Sequence, residues 1–142
     1  MLLTKEKSHC EENQKIIVSK DLGTTREHRA VNPGQQYCVR QYKLDGELIK
    51  QQKCCDFLLI NDSLKKAYFI ELKGGNIDEA IPQLENGERL CAAELQGYTF
   101  FYRIVPSKVR THAVTSHKFN KFKDKCGTRL KYQTIKMEET LS

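Results

Sequence analysis

Two short apolar runs separated by a six-residue polar loop constrain the fold of this chain more than any other feature. Residues 55–60 and 67–72 are rich in aromatic and branched side chains, and the intervening loop, 61–66, contains good turn formers. This pattern is typical of a β-hairpin. The loop length predicts an antiparallel pairing in which Ile60 faces Ala67.

The predicted hairpin brings three charged residues together at its open end. The same pairing places Asp56 opposite Glu71, and the alternation of strand side chains puts Lys73 on the same face. Two carboxylates placed directly opposite each other repel unless positive charge compensates them. Mg²⁺ prefers carboxylate and carbonyl oxygens, and the ammonium of Lys73 can contact a phosphate oxygen. The arrangement therefore indicates phosphodiester cleavage.

Asp56, followed by Glu71-Leu72-Lys73 on the next strand, resembles the Asp…(Asp/Glu)-x-Lys motif of the PD-(D/E)XK nuclease superfamily. This superfamily includes restriction endonucleases and Holliday-junction resolvases. The resemblance implies that Asp56, Glu71 and the backbone carbonyl of Leu72 bind Mg²⁺, with Mn²⁺ as an alternative. It also implies that Lys73 activates or positions the attacking water. Cys55 stands where the family usually has proline, and the resemblance extends from about residue 39 to residue 83.

The same resemblance suggests further site residues. Related nucleases often place a glutamine on the helix after the acidic-x-Lys strand, which here is Gln83. They also often carry an acidic residue on the first helix that approaches the metal, a role open to either Glu12 or Glu27. A solvated helix position is an equal alternative for Gln83, whereas a solvated surface position is the favoured alternative for Glu12 and Glu27.

The region before the hairpin predicts a third antiparallel strand. Asp45-Gly46 is favoured in two-residue type I′ turns, because both central residues of such a turn need positive φ. We therefore expect a meander of three strands, at 36–44, 47–60 and 67–73.

After the hairpin, the apolar period changes to that of a helix. Residues 77–96 are predicted to form a helix that is capped by Asn76, loosened or kinked at Gly87 and closed by Gly97. Residues 98–105 then form a strand of high β propensity. Strand, helix and strand together predict a βαβ unit appended to the meander.

The remaining segments complete the predicted architecture. Polar residues 1–15 favour a helix that ends near Ile16-Ile17-Val18, residues 116–126 a short basic helix, and residues 129–137 a final edge strand. The predicted fold class is α/β, a restriction-endonuclease-like three-layer core. Its mixed sheet, in the order αβββαβ, is flanked by helices and forms a single domain over 1–142.

The charge balance suggests a polyanionic partner. The chain has 24 Lys and Arg against 18 Asp and Glu, a net charge of +6, which suits nucleic acid, most plausibly DNA with RNA left open. Basic side chains concentrate in the last third of the chain, where phosphate contact competes with a simple solvated face. The candidate phosphate-binding residues are Lys108, Arg110, Lys118, Lys121, Lys123 and Lys125.

The six cysteines lack the paired spacing of a zinc site and are expected to be free thiols in a reducing compartment. With no apolar run of about 18 residues and no signal peptide, we expect a cytoplasmic protein without a membrane partner. The leading expectation is a metal-dependent nuclease, as a homodimer or with a partner protein. The alternatives are a non-catalytic nucleic-acid-binding or assembly module and a small protein-interaction domain.

Overall fold

The computed structural model describes residues 1–73, 76–108 and 116–142, which form a mixed α/β fold. Short 3₁₀ turns are interspersed between the main helices and strands. In chain order, those helices and strands are β1 (Ile16–Lys20), β2 (Glu27–Val31), β3 (Val39–Lys43), β4 (Phe57–Asn61), β5 (Lys66–Glu71), α1 (Ala80–Cys91), β6 (Thr99–Ile104), α2 (His117–Cys126), β7 (Leu130–Tyr132) and β8 (Lys136–Thr140). None of the described helices is long and apolar enough to cross a membrane.

A five-stranded mixed sheet holds the candidate site, with its strands in the order β3-β4-β5-β6-β7. β3, β4 and β5 are antiparallel neighbours, whereas β5, β6 and β7 run parallel. The predicted register of the central hairpin is confirmed, because Ile60 pairs with Ala67 and Leu58 pairs with Phe69. The turn is closed by Asn61, whose side chain accepts a hydrogen bond from the backbone nitrogen of Leu64.

The predicted βαβ unit is confirmed, with α1 between the parallel strands β5 and β6. A 3₁₀ turn at Ile77–Glu79 precedes the helix, and Asn76 caps this turn by accepting a hydrogen bond from the backbone nitrogen of Asp78. Gly87 does not interrupt α1. It instead permits close packing, because a Cβ atom at this position would lie 2.6 Å from the sulfur of Cys55.

The predicted tight hairpin at Asp45-Gly46 is wrong. Gly46 does adopt a positive φ of 84°, but the chain leaves the sheet there, and the strand expected from residue 47 begins only at Phe57. β3 pairs directly with β4, with Val39 opposite Asn61 and Lys43 opposite Phe57. The consecutive polar residues 50–53 are exposed, because they have no apolar side chain to place in the core.

The predicted N-terminal helix is also wrong. Residues 1–15 contain only a short 3₁₀ turn, Lys5–Lys7, and the apolar run Ile16-Ile17-Val18 lies in strand β1. Within β1, Ile17 is fully buried while its two neighbours are partly exposed. β-branched residues suit this half-buried pattern in a strand. β1 pairs with β2 in a second sheet, of order β1-β2-β8.

The single edge strand predicted at 129–137 is wrong, because this part of the chain forms two strands, β7 and β8. β7 adds to the five-stranded sheet beside β6, whereas β8 pairs in parallel with β2 in the second sheet. The chain turns between them at Ile135, which has a φ of 66°. The basic helix predicted at 116–126 is confirmed as α2, and the Ser116 side chain caps it by accepting a hydrogen bond from the nitrogen of Phe119.

The five-stranded sheet is covered on both faces, so the described chain forms three layers. On one face, Leu58 and Phe69 belong to a core cluster that includes residues of α1 and α2. On the other face, Leu59 and Ile70 pack with residues of the three-stranded sheet, including Ile17. In the described chain, helices α1 and α2 therefore pack on one face of this sheet, and the second sheet covers the other face.

A buried ionic cluster joins the two sheets. Arg103 of β6 donates to both carboxylate oxygens of Glu139 on β8, at 2.7 and 3.0 Å, and the ring nitrogen Nε2 of His28 lies 2.6 Å from the same carboxylate. Although burial alone raises the pKa of Glu139, the hydrogen bonds from His28 and Arg103 lower it to about 2. The ion pair therefore persists over the whole neutral range.

Candidate active site

Asp56 and Glu71 meet at the end of the β4–β5 hairpin, as the sequence predicts. Backbone amides hold both carboxylates. The nitrogen of Leu72 donates to Asp56 Oδ2 at 2.9 Å, and the nitrogen of Asp56 donates to Glu71 Oε1 at 3.2 Å. Glu71 is 3 % exposed, and the side chain of Asp56 is 13 % exposed. The pair is therefore fixed by backbone geometry and largely removed from water.

The raised pKa values of both groups favour a single proton shared between the two carboxyl groups at neutral pH. Burial, followed by the charge of Asp56 and a hydrogen bond to it, raises the pKa of Glu71 to about 9. Burial also raises the pKa of Asp56. A protonated Glu71 that donates to ionised Asp56 leaves the pair with a single negative charge. Perturbed carboxyl groups of this kind are concentrated at functional sites.

Gln83 and Lys73 both lie beside this pair. With its amide nitrogen assigned to the side that faces two acceptors, Gln83 donates to Glu71 Oε2 at 3.0 Å and to the carbonyl oxygen of Cys54 at 3.2 Å. Lys73 contributes a positive charge close enough to favour ionisation of Glu71. Its Nζ lies 3.1 Å from Glu79 Oε2. The helix glutamine thus contacts Glu71, and the charge of Lys73 acts on the same carboxyl group.

The Leu72 carbonyl is a further potential ligand. Glu71 and Lys73 on either side use their carbonyl oxygens to accept bonds from the nitrogens of Val105 and Ser107, at 2.9 and 3.1 Å. The Leu72 carbonyl oxygen accepts a hydrogen bond from no described residue. With respect to residues 1–73, 76–108 and 116–142, it has acceptor capacity left next to the carboxyl pair.

Sequence reasoning missed two charged residues on the other side of Asp56. Lys43, at the end of β3, places its Nζ 3.6 Å from Asp56 Oδ1 and 3.1 Å from Asp21 Oδ1. Burial opposes the charge of Lys43, but the hydrogen bond to Asp21 and the charge of Asp56 raise its pKa. In the observed pairing of β3 with β4, Lys43 lies opposite Phe57, which places this lysine next to Asp56. The sequence-based prediction missed it because it paired β3 with residues 47–52.

A cleft of about 870 Å³ opens beside the carboxyl pair, between α1 and α2. Lys73 and Gln83 line it and connect it to the pair. The further lining residues are Lys53, Asn76, Asp78, Glu79, Pro82, Asn86 and Lys118. Among the described residues, no aromatic side chain lines this α1–α2 cleft. It is a polar cleft with three lysines on its wall.

The predicted phosphate-binding residues divide into three groups. Lys118 lines the α1–α2 cleft, held there by α2, whose cap Ser116 also donates to Asp78 at 2.7 Å. The other lysines are exposed, and Arg110 lies outside the described residues. The exposed group consists of Lys108, Lys121, Lys123 and Lys125.

Neither candidate N-terminal acid contacts the carboxyl pair. Glu12 accepts a hydrogen bond from the thiol of Cys38 at 3.5 Å, and Glu27 faces Arg29 and Lys136. Throughout 1–73, 76–108 and 116–142, no group of three or more His, Cys, Asp and Glu side chains is placed to hold a metal ion. All six cysteines are free thiols, as expected. A cation held by Asp56 and Glu71 would therefore need backbone oxygen or water to complete its ligand set.

Comparisons of the chain with models of protein families, with curated proteins and with solved structures find no match.

Proposed function

We propose that this protein is a divalent-cation-dependent nuclease that hydrolyses phosphodiester bonds in DNA, with RNA as a possible second substrate class, on a restriction-endonuclease-like core. The main support is the buried Asp56–Glu71 pair, whose raised pKa values favour a shared proton and whose Glu71 is hydrogen-bonded to Gln83 on the wall of a cleft that also carries three lysines. Two acids that burial prevents from ionising together destabilise the fold unless a ligand replaces the proton.

The donor set fits Mg²⁺ or Mn²⁺. Asp56 and Glu71 would hold the ion with the unused carbonyl oxygen of Leu72, and water would supply the remaining positions, which suits the preference of Mg²⁺ for one or two carboxylates and several waters. The chemistry that such an ion supplies when bound is neutralisation of phosphate charge and a lower pKa for water.

The chain's own residues position the substrate. Glu79, the partner of Lys73, has a side chain that is 60 % exposed, so this ion pair contributes only about 0–1 kcal/mol and a phosphate can replace it. Lys73 then holds the phosphate or the attacking water and stabilises the negative charge that develops in the transition state. Gln83 orients Glu71 through its hydrogen bond.

The test compares Lys73→Ala and Asp56→Asn with the wild type in cleavage of supercoiled plasmid and labelled oligonucleotides, with Mg²⁺ or Mn²⁺. Lys136→Ala is the matched control, because Lys136 lies on the outer face of the three-stranded sheet, away from the cleft. We expect wild type and control to cleave and both site variants to lose activity by about 10²-fold or more. Equal activity of Lys73→Ala and Lys136→Ala would remove Lys73 from the mechanism.

Two observations, the ion pair of Lys73 with Glu79 and the raised pKa of Glu71, favour one alternative to the nuclease. This alternative is a nucleic-acid-binding module without turnover. In this form of the site, the lysine is paired with Glu79 and the acids carry one charge rather than two. Binding of DNA that persists in EDTA, with no cleavage under any divalent cation, would establish this alternative.

A further inference from the structure

A polar row on α1 leads away from the carboxyl pair. It begins at Gln83, which donates to Glu71, and continues one turn later at Asn86. Asn86 donates to the carbonyl oxygen of Lys53 at 2.5 Å and to Gln52 Oε1 at 3.2 Å. The row thereby ties the helix to the polar segment before β4.

Arg89 ends this row and is held by neutral groups. Its Nε and Nη2 donate to Asn86 Oδ1 at 3.1 and 2.6 Å, and Nη2 also donates to Gln52 Oε1 at 3.0 Å. Within the described parts of the chain, no carboxylate oxygen lies within 4.0 Å of its guanidinium nitrogens. Amide oxygens fix the orientation of a cation without neutralising it, so Arg89 keeps its full charge in a set orientation.

The remaining donor of Arg89 is available to a ligand. The residue is exposed, and its Nη1 contacts no acceptor among the described residues. A planar guanidinium with open N–H groups matches a phosphate, and pre-orientation reduces the entropy lost on binding. Gln83 and Arg89 are six positions apart, which is about 9 Å along the helix axis. The two side chains also differ by about 120° around the helix, so a nucleic-acid strand would reach both the carboxyl pair and Arg89 by following the polar row across α1.

The lining of the α1–α2 cleft defines what part of the nucleic acid is recognised. Its wall carries Glu79, paired with Lys73, and Asp78, bonded to Ser116. Its lysines can contact phosphates where a phosphate replaces Glu79, whereas no aromatic side chain among the described residues offers a surface on which a base could stack. Proteins that bind single strands use such aromatic surfaces. The contacts available here suit the backbone of a duplex.

We propose that Arg89, fixed by Gln52 and Asn86 and adjoined by Lys53, is a phosphate-binding subsite for the backbone of duplex DNA next to the scissile bond. The subsite contacts no base and contributes affinity without sequence preference. This inference rests on the proposed function, since it assigns the substrate of the same site.

The test measures binding of fluorescently labelled duplexes of two unrelated sequences by anisotropy, in EDTA and over a range of salt concentrations. We expect Arg89→Gln to weaken binding of both duplexes by about three- to tenfold and to reduce the slope of log affinity against log salt by about one. Lys136→Gln removes the same charge far from the cleft and should change affinity by less than about twofold.

Two further variants separate orientation from charge. Arg89→Lys keeps the charge but cannot be held by both amides, so it should keep the salt slope without regaining full affinity. Gln52→Ala removes one of the two amides that hold Arg89 and should likewise keep the slope while losing part of the affinity. Circular dichroism spectra that match the wild type confirm folding of each variant.

The results separate this inference from the nuclease proposal. If Arg89→Gln behaves like Lys136→Gln while the wild type binds and cleaves, the subsite is wrong and the nuclease stands. If the affinity loss depends on Arg89 but no divalent cation supports cleavage, the subsite stands and the nuclease does not. A loss confined to one of the two sequences would overturn backbone recognition, and a wild type that binds neither duplex would overturn both proposals.

Discussion

Replacing Glu71 with glutamine tests the shared proton directly. A glutamine amide can donate to Asp56 as the protonated acid does, but it does not titrate. The pKa of Glu71 is raised from 4.5 to about 9 on folding. The folded protein therefore holds a proton that the unfolded chain releases between those two values. The stability associated with this proton is fully present below about pH 4.5 and is lost as the pH rises towards 9.

The magnitude follows from linkage. Each pH unit inside this window changes the free energy of unfolding by about 1.4 kcal/mol for one proton. In EDTA, the wild type should therefore lose about 4 kcal/mol between pH 5 and pH 8 from this group alone. Over the same pH range, the free energy of unfolding of Glu71→Gln should fall by about 4 kcal/mol less than that of the wild type. The variant should therefore be more stable than the wild type at pH 8.

Urea unfolding followed by far-ultraviolet circular dichroism, in EDTA and a thiol reductant, measures this difference. Glu85→Gln is the matched control, because Glu85 is an exposed residue of α1, and its stability profile should parallel that of the wild type. A pH slope of Glu71→Gln equal to that of the wild type would refute the assignment of the proton to Glu71.

The same measurement tests the cation without an activity assay. A cation that replaces the shared proton binds more tightly as the pH rises, and a ligand of the folded state raises its stability by mass action. We expect added Mg²⁺ to raise the urea midpoint of the wild type more at pH 8 than at pH 6. The Glu71→Gln variant lacks one carboxylate ligand and should show a smaller increase at both values.

Three further predictions concern the framework that holds the site. Gly87→Ala should destabilise the fold by about 1–2 kcal/mol despite the better helix propensity of alanine, because the new methyl group overlaps the sulfur of Cys55; urea unfolding should show recovery when Cys55→Ala is added. Glu139→Gln should cost about 3–5 kcal/mol at pH 7, because it leaves Arg103 buried with its charge uncompensated, and thermal unfolding measures this loss. Ser116→Ala should lower the free energy of unfolding by about 1 kcal/mol in urea, since it removes the cap of α2.

The hairpin and its acidic pair could be predicted because their signals are local. The two apolar strands are short and buried except at Lys66, and the side chain of Asn61, at the end of β4, closes the turn. Once Ile60 faces Ala67, the positions of Asp56 and Glu71 follow from side-chain alternation.

The three-stranded sheet could not be predicted in the same way. β2 and β8 are polar strands, and their buried side chains are matched by partners far away in sequence. His28 on β2 is fully buried against Glu139 on β8, which in turn pairs with Arg103 on β6. The period of hydrophobic residues does not reveal a strand that buries polar side chains, because those side chains are buried only with partners that are distant in sequence.

The misplaced strand before the hairpin also concealed Lys43 and Asp21. Asp45-Gly46 correctly marks a turn, since Gly46 has a positive φ, but a turn signal does not specify whether the chain returns to its own strand. With β3 assumed to pair with residues 47–52, Lys43 would have lain far from Asp56. The actual register brings its Nζ within 3.6 Å of that carboxylate.

The proposed function gives the carboxyl pair a role beyond packing. Apolar residues in place of Asp56 and Glu71 would remove the burial penalty and the pH-dependent loss of stability. The pair is instead oriented by backbone amides, by Gln83 and by Lys43, all of which favour a defined geometry around negative charge. A destabilised but rigidly oriented pair beside a cleft is expected when a ligand repays its cost. The effect of Mg²⁺ on the stability of Glu71→Gln therefore bears on the function as directly as an assay of cleavage does.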